Sequence, residues 1–334
     1  MTGDRSGDSA EALWYVGPGR AAIRRDRLGL PGPGEVRVRA LHSAVSRGTE
    51  RLVFNGRVPE SEYARMRGPF MGGDFPFPVK YGYAMVGRVE DGPAELAGRS
   101  MFALHPHQDL FNISADALTL LPDGLPPARA VLAANMETAL NAIWDAGPSA
   151  CDRVAVVGAG VVGALVAWLC GQMPGARVTL VDVDPTRAAL ADALGVAFAA
   201  PDAALGDCDL VVHASATASG LATALRLAGD EATVLELSWH GAGDISVPLG
   251  GAFHSRRLKL VSSQVGAVAA SHRARWTHRR RLSAALDLLA DSRLDALLAP
   301  PVEFRELPER LPRILAPDSG VLCQVVNYPR APAP

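Results

Sequence analysis

Cysteine is sparse in this 334-residue sequence, with only Cys151, Cys170, Cys208 and Cys323, and no two of them form a CxxC pair. That spacing excludes zinc fingers and ribbons as well as the dense disulfide framework of a small secreted domain. It fits a reducing cytosol, so a cytoplasmic location is expected. Lysine is rarer still: all but Lys80 and Lys259 of the 33 basic residues are arginine. An excess of either charge is also missing. The 33 basic and 35 acidic residues leave a formal net charge of -2, with both signs spread along the chain, which provides no basic field for nucleic acid. No apolar stretch reaches spanning length without a charge, and the opening MTGDRSGDSA lacks the apolar core of a signal peptide. Neither a membrane nor a nucleic acid is therefore expected as partner, which leaves a small-molecule substrate. The first ten residues, all small or polar apart from the initiating methionine, are expected to be disordered.

The length exceeds that of a usual single core, so the prior favours two domains or one large α/β unit. From Ala12 to about Asp123, short apolar runs are broken by Gly and Pro. EVRVRAL and AMVGRVE alternate with period two, the pattern of half-buried strands. Residues 47–78 show no clean period and read as a loop-rich insertion with one short helix, the kind of long loop that carries function. Near Pro127 the texture changes to ARAVLAANMETALNAIWDA, a helical stretch stopped by Gly147 and Pro148. Strands and helices then alternate: RVAVVGAG, a helix over 162–173, ARVTLVDVD, a helix over 186–194, DLVVHAS, a helix over 220–227, and ATVLELSW. These strands are near-continuous apolar runs, as a parallel sheet covered on both faces requires. RLKLVSSQV follows as a further strand, then an arginine-rich amphipathic helix over 276–289 and a last strand, VLCQVVNY.

Gly158, Gly160 and Gly163 form GxGxxG directly after the apolar strand RVAVV and directly before a helix. In that context the first glycine permits the tight turn. The second lets backbone approach a pyrophosphate at the helix N-terminus, and the third lets helix and strand pack closely. Asp182 ends the next strand, VTLVD, where a carboxylate accepts hydrogen bonds from both ribose hydroxyls and repels a 2′-phosphate. NAD is therefore expected ahead of NADP. Arg187 reads either as a partner for a 2′-phosphate or as a solvated residue of the turn after Asp184-Pro185.

The whole chain after about Ala12 resembles the medium-chain dehydrogenase/reductase family. The likeness is carried by LPGPGEVRVRAL, SAVSRGTE, FPVKYGYAMVGRV, METALNAIWDAG, the GAGVVG turn and LVDVDPTRAALADALG. Within the family, SRGTERLVFNG, FALHPHQDLF, ELSWHG and FHSRRLKLVSSQVG look most like the bacteriochlorophyllide hydroxyethyl dehydrogenases and their relatives of other function. The resemblance implies an α/β fold in which a GroES-like β domain (1–128 and 267–334) accompanies a Rossmann domain with a doubly wound parallel sheet (129–266). It implies an oxidoreductase, a homodimer, and a substrate with a secondary alcohol or ketone side chain on a planar heterocycle such as a tetrapyrrole or a pterin, in a biosynthetic pathway. Besides Gly158, Gly160, Gly163 and Asp182, it places Val161, Val162, Thr138, Ser215, Ser238, Trp239 and Arg47 around the cofactor, Arg47 at the pyrophosphate.

The departures from the family pattern bear on chemistry. Where zinc-dependent relatives carry a cysteine and the histidine of GHE, this sequence has Ser46 and Tyr83, with Ala84 in place of the acid, and the four cysteines of the structural zinc lobe are absent. Only Glu137 remains as a plausible ligand type. A hydroxyl and a phenol do not make a zinc site at neutral pH, so no zinc is expected. A hydrogen-bond donor must then stabilise the charge that develops on the substrate oxygen. Tyr83 is the first candidate, with Ser46 and Thr49 passing a proton outward and Glu137 as general base or as a helix carboxylate paired with an arginine. Lys80, three residues from Tyr83, points to the opposite face if both lie in a strand. His105 and His107 are spaced as two ligands on one strand face, but the intervening Pro106 favours a surface or substrate-lining role. His42, His213, His240 and His254 stand alone and read as structural, His240 being best placed because Ser238-Trp239-His240 follows a Rossmann strand and, in the family, that loop lies beside the nicotinamide. Two other accounts stay open: a zinc-free quinone or enoyl (C=C) reductase, and a non-catalytic NAD(H)-binding sensor.

Overall fold

The computed structural model describes residues 8–329. The chain divides into two compact units, Met1–Ala134 with Leu298–Pro334, and Asn135–Leu297.

The first unit is the GroES-like β domain. One sheet runs in the order Arg20–Leu28, Asp8–Gly17, Val79–Lys80, Gly72–Gly73. A larger one runs Leu298–Glu303, Cys323–Asn327, Glu35–Val45, Met85–Asp91, Ser100–Ala103, Thr119–Leu120, with Leu110–Ser114 also paired to Glu35–Val45. The period-two reading of EVRVRAL holds, with Val36, Val38 and Ala40 all buried. Arg37, between two of them, is buried as well, because its guanidinium donates to Asn112 Oδ1 at 3.2 Å and to the Gly29 carbonyl. Residues 47–78 hold more order than one short helix: Arg47–Phe54 is helical, followed by a 3-10 turn at Glu60–Glu62 and a single helical turn at Tyr63–Met66. Of the ten N-terminal residues expected to be disordered, 1–7 lie outside the described residues, and Asp8–Ala10 belong to a strand paired with Asp26–Leu28.

The histidines of FALHPHQD are core residues of this unit rather than surface ones. His105 is 3% exposed and stacks on Phe111, with ring centroids 3.8 Å apart. Burial pushes its imidazole down to about 3, so it is neutral when folded. In the unfolded chain the same ring titrates near 6.5. Between pH 6.5 and about 3 the unfolded state therefore binds more protons, and stability falls as the pH is lowered through that window. Denaturant titrations at pH 6.5 and 4.5 are expected to show His105→Phe losing less stability than the parent. The difference should be on the order of 1–3 kcal/mol, since each pH unit in that window is worth about 1.4 kcal/mol for one fully shifted group. Equal losses would show that His105 does not stay neutral.

The second unit is a Rossmann domain. Six strands lie in the order Ala197–Ala199, Arg177–Val181, Arg153–Val157, Cys208–His213, Ala228–Glu236, Lys259–Ser262, every neighbouring pair parallel. Strand order reverses between Arg153–Val157 and Cys208–His213, which opens the crevice where ligands bind in such sheets. The helices fall within two residues of the sequence expectation: Val161–Gly171, Arg187–Leu194, Ala218–Leu227 and His278–Leu288. Arg187–Leu194 ends on Gly195 in the left-handed region (φ 74°), and the N-terminal turn of Ala218–Leu227 is capped by Thr217 Oγ1, which accepts the Gly220 N–H at 3.0 Å. No helix among the described residues is long and apolar enough to cross a membrane.

The unit boundaries differ from those expected. They fall at 134/135 and 297/298, so the arginine-rich helix belongs with the Rossmann sheet and not with the β domain. Arg281 is the reason. Its guanidinium, 1% exposed, donates to Glu137 Oε1 at 3.0 Å, to Asn141 Oδ1, and to the Val265 and Ala267 carbonyls, while Leu282, Ala285 and Leu286 fill the apolar side of the same helix. One arginine of an amphipathic helix thus satisfies buried acceptors of its own unit.

Candidate functional site

The glycine turn follows Arg153–Val157. Gly158 adopts φ 110°, and a Cβ there would lie 2.6 Å from the Ser215 nitrogen. A Cβ on Gly163 would lie 2.0 Å from the Gly158 carbonyl oxygen. Both positions exclude any larger residue because backbone crosses backbone. Gly160 differs: nothing lies within 4 Å of a Cβ built there, so its face is open. Val161 and Val162 begin the helix behind it, and no side chain caps that N-terminus. Its first N–H groups and the dipole behind them are therefore available to an anion. Asp182, one residue past Arg177–Val181, accepts the Ala159 N–H at 2.6 Å through Oδ2 and the Asp184 N–H at 2.9 Å through Oδ1. The carboxylate is thus anchored by the turn it serves, and each oxygen keeps a further lone pair for a hydroxyl. An open glycine, an uncapped helix start and an oriented acid together fit a dinucleotide. Arg187 ion-pairs with Asp184 at 3.4 Å in the following turn.

At the carboxyl ends of the next two strands, His213 and Glu236 are register partners. His213 Nδ1 lies 2.6 Å from Glu236 Oε2, and His213 Nε2 lies 2.8 Å from Ser215 Oγ. The Ser238 N–H donates to Glu236 Oε1 at 2.7 Å, and Ser238 Oγ accepts the Ala216 N–H at 3.0 Å. Burial raises the Glu236 carboxyl, but the hydrogen bonds and charge of His213 and the bonds of Ser238 outweigh it and hold the group below its ordinary value. Ser215 and Ser238, expected near the cofactor, are thereby held by one network, with Trp239 half-buried directly after it. Thr138 is half-buried on the Ala133–Ala146 helix.

In the β unit, Tyr83 donates its hydroxyl proton to Ser46 Oγ at 2.5 Å, and Thr49 hydrogen-bonds the same phenol. Burial outweighs both bonds and pushes the phenol up to about 12. Tyr83 is therefore a proton donor at neutral pH and not a phenolate. Sequence reasoning missed what lies behind this trio. Glu50 is completely buried on the Arg47–Phe54 helix. Its Oε2 accepts the Tyr15 hydroxyl at 2.5 Å and stands 3.1 Å from His107 Nε2, while Oε1 accepts the Ser46 N–H at 2.7 Å. His107 Nδ1 in turn meets Ser43 Oγ at 2.7 Å, which meets the Tyr328 hydroxyl at 3.0 Å. The carboxylate fixes the Ser46 backbone, and Ser46 fixes the phenol. The available signal was the acid in SRGTE itself, directly after Thr49 and followed by the apolar Leu52-Val53-Phe54.

Two expected site residues, Glu137 and Arg47, are committed elsewhere. Glu137 is not a free general base: it is buried against Arg281, its carboxyl raised by burial despite the arginine beside it. Removing one partner of such a pair typically costs about 3–5 kcal/mol, which marks its role as structural. Arg47, expected at the pyrophosphate, donates to the Val321 carbonyl and, at 2.8 Å, to that of Ala316, tying its helix to the C-terminal segment of its own unit. Lys80 ends the strand Val79–Lys80 and donates to Gln108 Oε1 at 2.7 Å; Tyr83 lies in no strand, so the alternation expected of a shared strand does not arise. Ser46 and Tyr83 do not fit zinc, which needs three nitrogen, sulfur or carboxylate donors. Among the described residues, one trio of His, Cys, Asp or Glu donors is close enough for a metal, and it is His213, Glu236 and His240 of the other unit.

No protein-family model matches the sequence. Solved structures do share its fold. L-idonate 5-dehydrogenase from Escherichia coli K-12 superposes with a TM-score of 0.78 at 14% identity, over 96% of this chain and 99% of that one. A short chain alcohol dehydrogenase from Escherichia coli CFT073 complexed with NADH gives 0.76 at 14%, over 96% and 100%. TarJ of Staphylococcus aureus in complex with NADPH gives 0.73 at 14%, over 97% and 100%. At such identities the likeness establishes the architecture, a GroES-like unit with a Rossmann unit, along nearly the full length of each chain.

Proposed function

We propose that this chain is a medium-chain dehydrogenase/reductase that moves a hydride between NAD(H) and a secondary alcohol or ketone carbon without a catalytic zinc ion. The observation that carries the reading is the glycine turn, with Gly160 open and Asp182 anchored beside it. Since solved proteins of this fold include one complexed with NADH and one with NADPH, the preference for NAD rests on the Asp182 carboxylate.

A nicotinamide dinucleotide, when bound, supplies or accepts the hydride. The helix N-terminus behind Gly160 would hold its pyrophosphate and Asp182 its ribose hydroxyls. Tyr83 would turn its single hydroxyl proton from Ser46 Oγ to the substrate oxygen and deliver it as that oxygen becomes a hydroxyl, and Ser46 and Thr49, their hydroxyls then donating to the phenol, would return a proton to it. A phenol near 12 keeps its proton at neutral pH, which suits carbonyl reduction. The substrate we favour is a planar heterocycle bearing a methyl ketone or hydroxyethyl group.

The test is turnover by the metal-depleted chain with NADH and with NADPH against aryl and heterocyclic methyl ketones, quinones and enones. Reduction of a ketone, faster with NADH, is the expected outcome. Turnover confined to enones or quinones would replace this reading by C=C reduction, and NADH binding with no turnover of any class would make the protein a sensor.

A further inference from the structure

The sheet register of the Rossmann unit does more than bring His213 beside Glu236. Glu236 ends its strand, and His240 follows four residues later, so the loop folds a second imidazole back over the same carboxylate. His240 Nε2 lies 3.7 Å from Glu236 Oε2, and the three donor atoms all fall within 4.8 Å of one another. His213 is fully buried, Glu236 and His240 are each 16% exposed, and the imidazole rings are nearly parallel, 20° apart in plane, with centroids 6.1 Å apart. His240 Nε2 is itself buried and has no hydrogen-bond partner. An orphaned imidazole nitrogen aimed at a carboxylate that already serves a second histidine is costly unless something completes it.

We propose that His213, Glu236 and His240 form a binding site for a divalent transition-metal ion of the zinc class. Two imidazoles and one carboxylate are the donor set that such ions take, whereas calcium and magnesium require oxygen ligands. Bound at about 2.0–2.2 Å, the three donors of a four-coordinate ion stand roughly 3–3.5 Å apart, so the 2.6 Å contact must widen and the 3.7 Å contact close slightly, while the two imidazole nitrogens start within 4.8 Å of each other. The ion takes the place of the proton shared between His213 Nδ1 and Glu236 Oε2. The outer contacts are already built. His213 Nε2 bonds Ser215 Oγ, which fixes the ring, and the Ser238 N–H holds Glu236 Oε1, which turns Oε2 toward both histidines. The fourth position is left to water. Metal here would tie the start of the loop after Ala228–Glu236 to the sheet. The inference is independent of how hydride transfer is catalysed, since none of the three residues is assigned to that step.

The test uses the full chain stripped of metal and titrated with Co²⁺, Cu²⁺ or Zn²⁺ alone. One equivalent is expected to bind, with the visible absorption of a low-coordinate Co²⁺ ion and nitrogen hyperfine structure from two imidazoles in the Cu²⁺ spectrum. His240→Ala should weaken binding by about 100-fold, as losing one of three ligands implies, while His254→Ala leaves it unchanged. NADH fluorescence on each variant checks that the Rossmann unit is folded. No stoichiometric binding to the parent chain, equal affinity in His240→Ala, or a Cu²⁺ spectrum with fewer than two imidazoles would each overturn the site, whatever the variants' stability. Loss of metal binding with NADH turnover retained leaves the proposed function standing, and the reverse result leaves the metal site standing.

Discussion

Tyr83→Phe is expected to lower the turnover number by about 100-fold or more, the usual loss when a positioned general acid is removed. The variant keeps the ring, and with it the edge-to-face contact to Tyr81 at 6.2 Å, so only the hydroxyl is lost. Affinity for NADH, measured by fluorescence, should stay within about twofold, because general acid catalysis acts on the transition state and not on cofactor binding. Ser46→Ala should cost less, since the phenol retains Thr49 as a partner. Turnover by Tyr83→Phe equal to that of the parent chain would move the proton donor elsewhere.

Asp182→Ser carries the second large effect, and it falls on the cofactor. Hydrogen bonds to a charged group contribute about 1.5–3 kcal/mol each, and since a serine hydroxyl can still accept one of the two, the substitution should weaken NAD by roughly 10- to 100-fold. NADP, whose 2′-phosphate the same carboxylate repels, should lose far less. Asp182 also anchors the turn through the Ala159 N–H, and damage to that anchor penalises both dinucleotides alike. The informative quantity is therefore the ratio of the two dissociation constants. A ratio unchanged by the substitution would remove Asp182 from ribose recognition.

The glycine turn was legible because its causes are local. Gly158 must turn and Gly163 must lack a Cβ, which would meet the Gly158 carbonyl oxygen at 2.0 Å, and both demands come from residues within one strand-turn-helix unit or the strand beside it. The alternating strands were legible for the same reason, since burial on two faces shows as an apolar run. Tyr83 and Ser46 were found as a pair, but only by position; that their hydroxyls lie 2.5 Å apart could not be read from residues 37 apart in sequence. Glu50 escaped notice altogether, and His107, read as a surface or substrate-lining residue, is buried against it. A buried carboxylate looks like a solvated one until Tyr15, Ser46 and His107 arrive from three segments to satisfy it. Glu137 was read two ways, as a general base or as a helix carboxylate paired with an arginine, and the second holds; which arginine could not be read, since Arg281 lies 144 residues away.

Order of elements, strand identity and the glycine turn were determined by sequence alone, because hydrophobic period and glycine sterics act between near neighbours. Which polar groups are spent and which remain free was decided by the tertiary structure. An ionisable side chain is defined by what desolvates and pairs it, and those partners come from distant segments: Arg281 claims Glu137, the Val321 and Ala316 carbonyls claim Arg47, and strand register sets His213 against Glu236.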